Sequence, residues 1–168
     1  QYDDRESGRF FMRMGFEISD PGLGAERLRT DFAPTASEYA MDFQLWDARA
    51  PYRTLLMVSG HLQCLNDLLF RHSTGDLQIE IPAIVSNHPD AAQLAGSYGI
   101  PFHHIPVTAS DKPAAEAELL HLVKEYGIHL VVLARYMQVL SDDLCRQLSG
   151  RMINIHHSFL PSFKGAKP

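Results

Sequence analysis

Thr54-Leu55-Leu56-Met57-Val58-Ser59 is the stretch on which the fold turns. Successive side chains of a strand point to opposite faces, so a strand with one wet face alternates polar and apolar residues. This run does not alternate. It fits a strand covered on both faces, the setting found in parallel sheets. Downstream, helix-like and strand-like segments take turns. A helical stretch from Leu62 to Arg71 precedes a strand over Ile79–Ser86, and a helix near Ala91–Tyr98 precedes a short strand at Phe102–Ile105. A helix over Ala114–Tyr126 then leads to Leu130–Ala134, and one near Asp142–Leu148 leads to Arg151–His156. Strands that alternate with helices imply right-handed crossovers and a doubly wound, Rossmann-like parallel sheet, an α/β fold. Pro82 cannot donate a ladder bond, so its strand should be bulged there or lie near an edge.

Upstream of this run the pattern is different. From Phe10 to Ile18 apolar residues alternate with others, and Met41 to Trp46 alternates again, as half-buried strands do. Between them Leu28, Phe32, Ala36 and Tyr39 recur at helical spacing, with Pro34 expected to kink or split the helix. Strand, helix, strand is too little for an independent core. Residues 1–47 therefore read as part of a small α+β module, 48–52 as a linker, and 53–168 as the start of a larger α/β domain. We expect segments to be missing at both ends: the chain has no initiator Met and stops at Lys164-Gly165-Ala166-Lys167-Pro168, close behind a motif.

Composition narrows the function. The chain has 168 residues, 45% hydrophobic and 21% charged, with a formal net charge of -5. That balance suits a globular domain and argues against a nucleic-acid binder, which needs a basic patch for phosphates. No apolar run reaches the roughly 18 residues of a membrane span, and no signal peptide is visible. Two cysteines, Cys64 and Cys145, make neither a disulfide framework nor a paired metal motif, so a reduced, cytoplasmic setting is expected. His88, His103 and His104 lack ligand spacing, and no metal is expected.

In doubly wound sheets ligands sit beyond the carboxyl ends of the strands. Four places qualify: Ser59 to Cys64, Ser86-Asn87-His88, Arg135-Tyr136-Met137, and Asn154 to Ser158. Asn154 and His156, two apart on a strand, would project together while His157 points away. An amide donor beside an imidazole suits a reaction that builds charge on a carbonyl oxygen, and a protonated His can pass a proton to a leaving amine. The same pair could equally cap a strand, and spacing alone does not decide.

The longer string Asn154-Ile155-His156-His157-Ser158-Phe159-Leu160-Pro161, running on to Gly165-Ala166-Lys167-Pro168, resembles the signature of formyltransferase-fold enzymes that use 10-formyltetrahydrofolate. The double His and the Ser-Phe-Leu-Pro that follows are most similar to the hydrolytic branch, the formyltetrahydrofolate deformylases. Ile84-Val85-Ser86-Asn87-His88-Pro89 and Leu133-Ala134-Arg135-Tyr136-Met137-Gln138-Val139-Leu140 agree. The resemblance implies hydrolysis of 10-formyltetrahydrofolate to formate and tetrahydrofolate, feeding purine synthesis and balancing one-carbon pools. Folate would be the substrate, with no separate cofactor. It also implies that residues 1–47 are the latter part of an ACT-like, ferredoxin-like module, open to a small-metabolite effector and to pairing in a homo-oligomer. By the same resemblance Asn154 and His156 are catalytic, and their partner Asp lies beyond residue 168. Met137, Val139 and Leu140 would contact the folate ring, with Arg135 and Gln138 near its glutamate tail.

One stretch departs from the deformylase pattern. Where Ser-(Lys/Arg)-x-x-His-Cys is expected, this chain has Ser59-Gly60-His61-Leu62-Gln63-Cys64. Ser59 and Gln63 are left as candidates for positioning water or the loop, and Gln63 cannot titrate near neutral pH. The alternative function is a folate-dependent formyltransferase acting on an amine. That reading wants a glycine-rich phosphate cradle after the first strand, and Ser59-Gly60-His61 offers a single glycine.

Overall fold

The computed structural model describes residues 2–4, 8–20, 22–108 and 110–155, and the chain divides into two units, 1–50 and 51–168. In the first, β1 (Tyr2–Asp4) and β2 (Arg9–Phe11) form an antiparallel pair, with Tyr2 opposite Phe11 and Asp4 opposite Arg9. Helix α1 (Ala25–Glu38) follows. The strands expected over Phe10–Ile18 and Met41–Trp46 do not form, apart from Phe10 and Phe11 at the end of β2. Alternation tells which way side chains would face, but a strand exists only through a hydrogen-bonded neighbour. Among the described residues no strand pairs with 12–18 or 41–46, and Met12, Met14 and Phe16 stay more than half exposed. Pro34 does not split α1 either: it removes one backbone donor, and the helix runs on to Glu38. Segment 41–46 is tied to α1 by side chains instead. The Phe32 and Phe43 rings meet edge-on at 5.0 Å, and Arg29 donates to the Leu45 carbonyl at 2.6 Å.

The second unit follows the expected alternation. In chain order it comprises β3 (Tyr52–Val58), α2 (Gln63–Ser73), β4 (Ile79–Glu80), β5 (Ile84–Ser86), a 3-10 turn at Pro89–Ala91, α3 (Ala92–Ser97), β6 (Phe102–His104), α4 (Lys112–Glu125), β7 (Leu130–Ala134), α5 (Asp142–Gln147) and β8 (Met152–Ile155). Tyr52, assigned to the linker from sequence, is the first residue of β3. All pairings in this sheet are parallel, in the order β6-β5-β3-β7-β8, with β4 beside the start of β3.

Pro82 has the effect its chemistry requires. Tyr52 and Arg53 lie opposite Ile79 and Glu80, yet Leu56 lies opposite Ile84. Three residues, Ile81 to Ala83, thus face two, Thr54 and Leu55, and the ladder breaks in a one-residue bulge.

Strand β3 is the middle of the sheet and is sealed on both sides. Leu55 and Met57 pack with Leu119, Leu122 and Val123 of α4 and Leu144 of α5. Leu56 and Val58 pack on the other side with Leu65 and Leu69 of α2 and Ala95 of α3. None of the four is more than 1% exposed. Burying each such side chain contributes about 1.5–3 kcal/mol. The return to β7 is set by Gly127 (φ 57°), where α4 ends in a left-handed turn and the Ile128 amide donates to the Val123 carbonyl at 2.9 Å. That turn drives Ile128 into the core.

From β3 the chain steps to β5 and β6 on one side, then crosses over through α4 to β7 on the other. The connections leaving the carboxyl ends of β3 and β7 therefore diverge, which opens the crevice where such folds bind ligands. The core assignment predicts that Leu56→Ala will lower unfolding stability by about 2–5 kcal/mol. Urea denaturation checks this, and a loss below about 1 kcal/mol would contradict the two-sided packing of β3.

Candidate active site at the carboxyl ends of the strands

Ser59 is the first residue beyond β3, and only 4% of it is exposed. Its hydroxyl donates to Asn87 Oδ1 at 2.6 Å and accepts from the Met137 amide at 2.9 Å. One side chain thereby ties together the segments that leave β3, β5 and β7. Nearby, buried Ser86 accepts from the His88 amide at 3.1 Å, which shapes the turn after β5.

The segment Arg135–Ser141 between β7 and α5 is fixed at both ends. Arg135 adopts φ 58°, and its amide donates to the Leu133 carbonyl at 3.1 Å. Holding a non-glycine residue in that left-handed region costs about 1–2 kcal/mol. At the far end Ser141 caps α5, its Oγ accepting from the Leu144 amide at 3.1 Å. The Ser141 amide donates to Glu116 on α4 at 2.8 Å, and the Ser141 hydroxyl donates to the same carboxylate. A cleft beside this segment has Met57, Val85, Ile105, Leu119, Tyr136 and Leu140 as apolar lining, with Lys112, Glu116 and Gln138 as polar groups. Burial, and then the Glu116 charge, push the Tyr136 phenol up to about 12. The cleft's open volume is about 20 Å³, room for about one water molecule.

The sequence candidates fall out as follows. Asn154 lies in β8 opposite Leu133 and is exposed, one residue before the strand's end. His156 and the rest of the motif lie outside the described residues. Met137, Val139 and Leu140 share one loop but not one environment: Leu140 packs against the core, Met137 is half-buried, and Val139 is 82% exposed. Ser59 touches that loop directly. Gln63 is exposed at the start of α2 with no side-chain hydrogen bond among the described residues.

Sequence reasoning missed Glu116 and the strain at Arg135. Glu116 sits 25 residues from Ser141, and no local pattern announces that pairing. Asn87 stood inside a flagged strand end, but its bond to Ser59 was not foreseen. Elsewhere, His103 bonds the Tyr126 hydroxyl at 3.1 Å, and both cysteines are free. Among the described residues no group of three or more His, Cys, Asp or Glu is placed to hold a metal, and no helix is long and apolar enough to cross a membrane.

A doubly wound parallel sheet whose connections part at the carboxyl ends of β3 and β7 is the class of α/β domain that binds ligands at that edge. Residues 52–168 match the formyl transferase family, and the chain belongs to it. It is 54% identical over its whole length to a formyltetrahydrofolate deformylase of Corynebacterium sp. (strain P-1), spanning 59% of that protein. It also resembles a crystal structure of a formyltetrahydrofolate deformylase from Pseudomonas putida KT2440, with 46% identity and a TM-score of 0.89, covering 99% of this chain and 59% of that one. A phosphoribosylglycinamide formyltransferase from Coxiella burnetii matches less of it: 32% identity, TM-score 0.61, covering 69% of this chain and 56% of that one.

Two outcomes follow from the geometry. Ser59→Ala leaves the Met137 amide without its acceptor, so stability should fall by about 1–3 kcal/mol; a change within a few tenths in urea denaturation would contradict the tie. For Tyr136 the folded-state value is raised, so its contribution is fully present below pH 10, the ordinary tyrosine value, and is lost as pH rises towards 12. Tyr136→Phe should flatten the decline of melting temperature with pH across that window, and an unaltered decline would contradict it.

Proposed function

We propose that this chain carries the folate-binding part of a formyltetrahydrofolate deformylase, which hydrolyses 10-formyltetrahydrofolate to formate and tetrahydrofolate. The observation that carries this reading is coverage. The Corynebacterium deformylase matches the whole chain and the Pseudomonas putida deformylase structure 99% of it, whereas the phosphoribosylglycinamide formyltransferase structure matches 69%. The alternative, transfer to an amine acceptor, has no comparable support.

In this reading the folate ring rests against the Arg135–Ser141 segment, where Met137, Val139 and Leu140 contact it and Ser59 and Glu116 keep the loop in place. Water attacks the formyl carbon. Asn154 donates a hydrogen bond to the oxyanion together with His156, and the proton delivered to N10 by His156 releases tetrahydrofolate. The family's third residue, an Asp beyond residue 168, orients the imidazole. No separate cofactor takes part. Gln63 in place of a His can hold water by hydrogen bonding but cannot serve as its base, since an amide does not titrate near neutral pH. The ACT-like reading of residues 1–47, with a small-metabolite effector, a homo-oligomeric assembly and a cytoplasmic setting, belongs to the same proposal.

The test is release of formate from 10-formyltetrahydrofolate by the protein that carries this chain. Asn154→Ala should lower kcat about 10²–10³-fold, the usual cost of removing one oxyanion donor, with a smaller change in KM. Undiminished kcat, or formyl transfer to an amine in place of formate release, would overturn the proposal.

A further inference from the structure

Ser59, the first residue after β3, donates to Asn87, the first residue after β5, at 2.6 Å. Among the described residues no other bond between side chains joins two strand ends on the carboxyl edge of the sheet. The other long-range pairs lie elsewhere: Arg53 with Glu80 near the starts of β3 and β4, His103 of β6 with Tyr126, and Ser141 with Glu116 on α4.

Counting protons shows what Asn87 does there. A serine hydroxyl has one proton and two lone pairs. The Met137 amide already donates to the Ser59 oxygen at 2.9 Å, so the single Ser59 proton is left for Asn87 Oδ1. Ser59 is only 4% exposed, which makes solvent a poor substitute acceptor. The reverse arrangement fails. With the Asn87 amide nitrogen turned to Ser59, the serine oxygen would receive two donors, and its own proton would have no acceptor. The turn that carries Asn87 is held as well: buried Ser86 accepts from the His88 amide at 3.1 Å, and Pro89 opens the 3-10 turn that follows. If the Asn87 acceptor is removed, the Ser59 hydroxyl is free to rotate and no longer presents a fixed lone pair to Met137.

We propose that Asn87 is a positioning residue for the loop that contacts the folate ring, acting through Ser59 without touching the ligand. By taking the Ser59 proton it keeps the Ser59 oxygen aimed at the Met137 amide. The turn after β5 thereby governs the shape of the loop after β7, as a supporting shell does for the groups that meet a ligand. The part played in folate binding rests on the deformylase reading; the effect on Met137 does not.

The experiment compares Asn87→Ala, Asn87→Asp, Ser59→Ala and the Ser59→Ala/Asn87→Ala double variant in the protein that carries this chain. The readouts are the dissociation constant of tetrahydrofolate, kcat and KM for 10-formyltetrahydrofolate, and hydrogen exchange of the Met137 amide without ligand. Losing one neutral hydrogen bond in Asn87→Ala should raise the dissociation constant and KM about threefold to tenfold, with a smaller change in kcat. Aspartate still offers the hydroxyl an acceptor, so Asn87→Asp should stay within about twofold of the unsubstituted protein. Because Asn87 acts through Ser59, the double variant should bind no more weakly than Ser59→Ala alone. Met137 exchange should quicken in Asn87→Ala and Ser59→Ala but not in Asn87→Asp. Unaltered affinity and exchange in Asn87→Ala, additive losses in the double variant, or an aspartate variant as weak as the alanine one would each overturn the proposal. If Asn87→Ala does not fold, Asn87→Ser, whose hydroxyl is too short to reach Ser59, takes its place with the same expected outcomes. An unsubstituted protein that does not bind tetrahydrofolate would sink the deformylase reading, and Met137 exchange would then decide the positioning role by itself.

Discussion

Everything in the larger unit depends on β3 being dry on both faces. Leu55 and Met57 on one side, and Leu56 and Val58 on the other, cannot be buried by one layer of helices. Helices on both faces require parallel strands joined by crossovers, and a central strand requires the chain to build outwards in both directions. The reversal between β6 and β7 follows, and with it the parting of the connections at the carboxyl ends of β3 and β7. The crevice is thus a consequence of how the core is closed.

That opening creates a problem which Ser59 solves. Loops that diverge leave backbone amides with nothing to pair with, and a loop that meets a ligand must hold its shape beforehand. Ser59 supplies the Met137 amide with an acceptor and anchors itself to Asn87, while Glu116 fixes Ser141 at the other end of the loop. Both ends of the loop are thereby held, while Val139 in its middle stays exposed.

Much of this was legible in the residues. The run at 54–59 implied burial on both faces, and the bulge at Pro82 followed from its missing amide proton. The four strand ends to inspect were named by the parallel arrangement alone, and Ser59, Asn87, Arg135 and Asn154 all lie at them. Two kinds of information were hidden. Period-two alternation at Phe10–Ile18 implied a strand, but pairing depends on a neighbour, and sequence carries no record of where a neighbour stops. Long-range side-chain bonds were equally silent: Ser59 meets Met137 across 78 residues and Glu116 meets Ser141 across 25. Such bonds come from the topology and have no local signature.

The most direct test of the account is amide hydrogen exchange on the protein that carries this chain, with and without saturating tetrahydrofolate. Exchange of the amides in Met137–Ser141 and around Ser59 should slow in the presence of the ligand, because the ligand closes the crevice over the loop that Ser59 and Glu116 hold. Protection confined to other segments, or no change at saturation, would contradict the placement of the site at the carboxyl ends of β3 and β7.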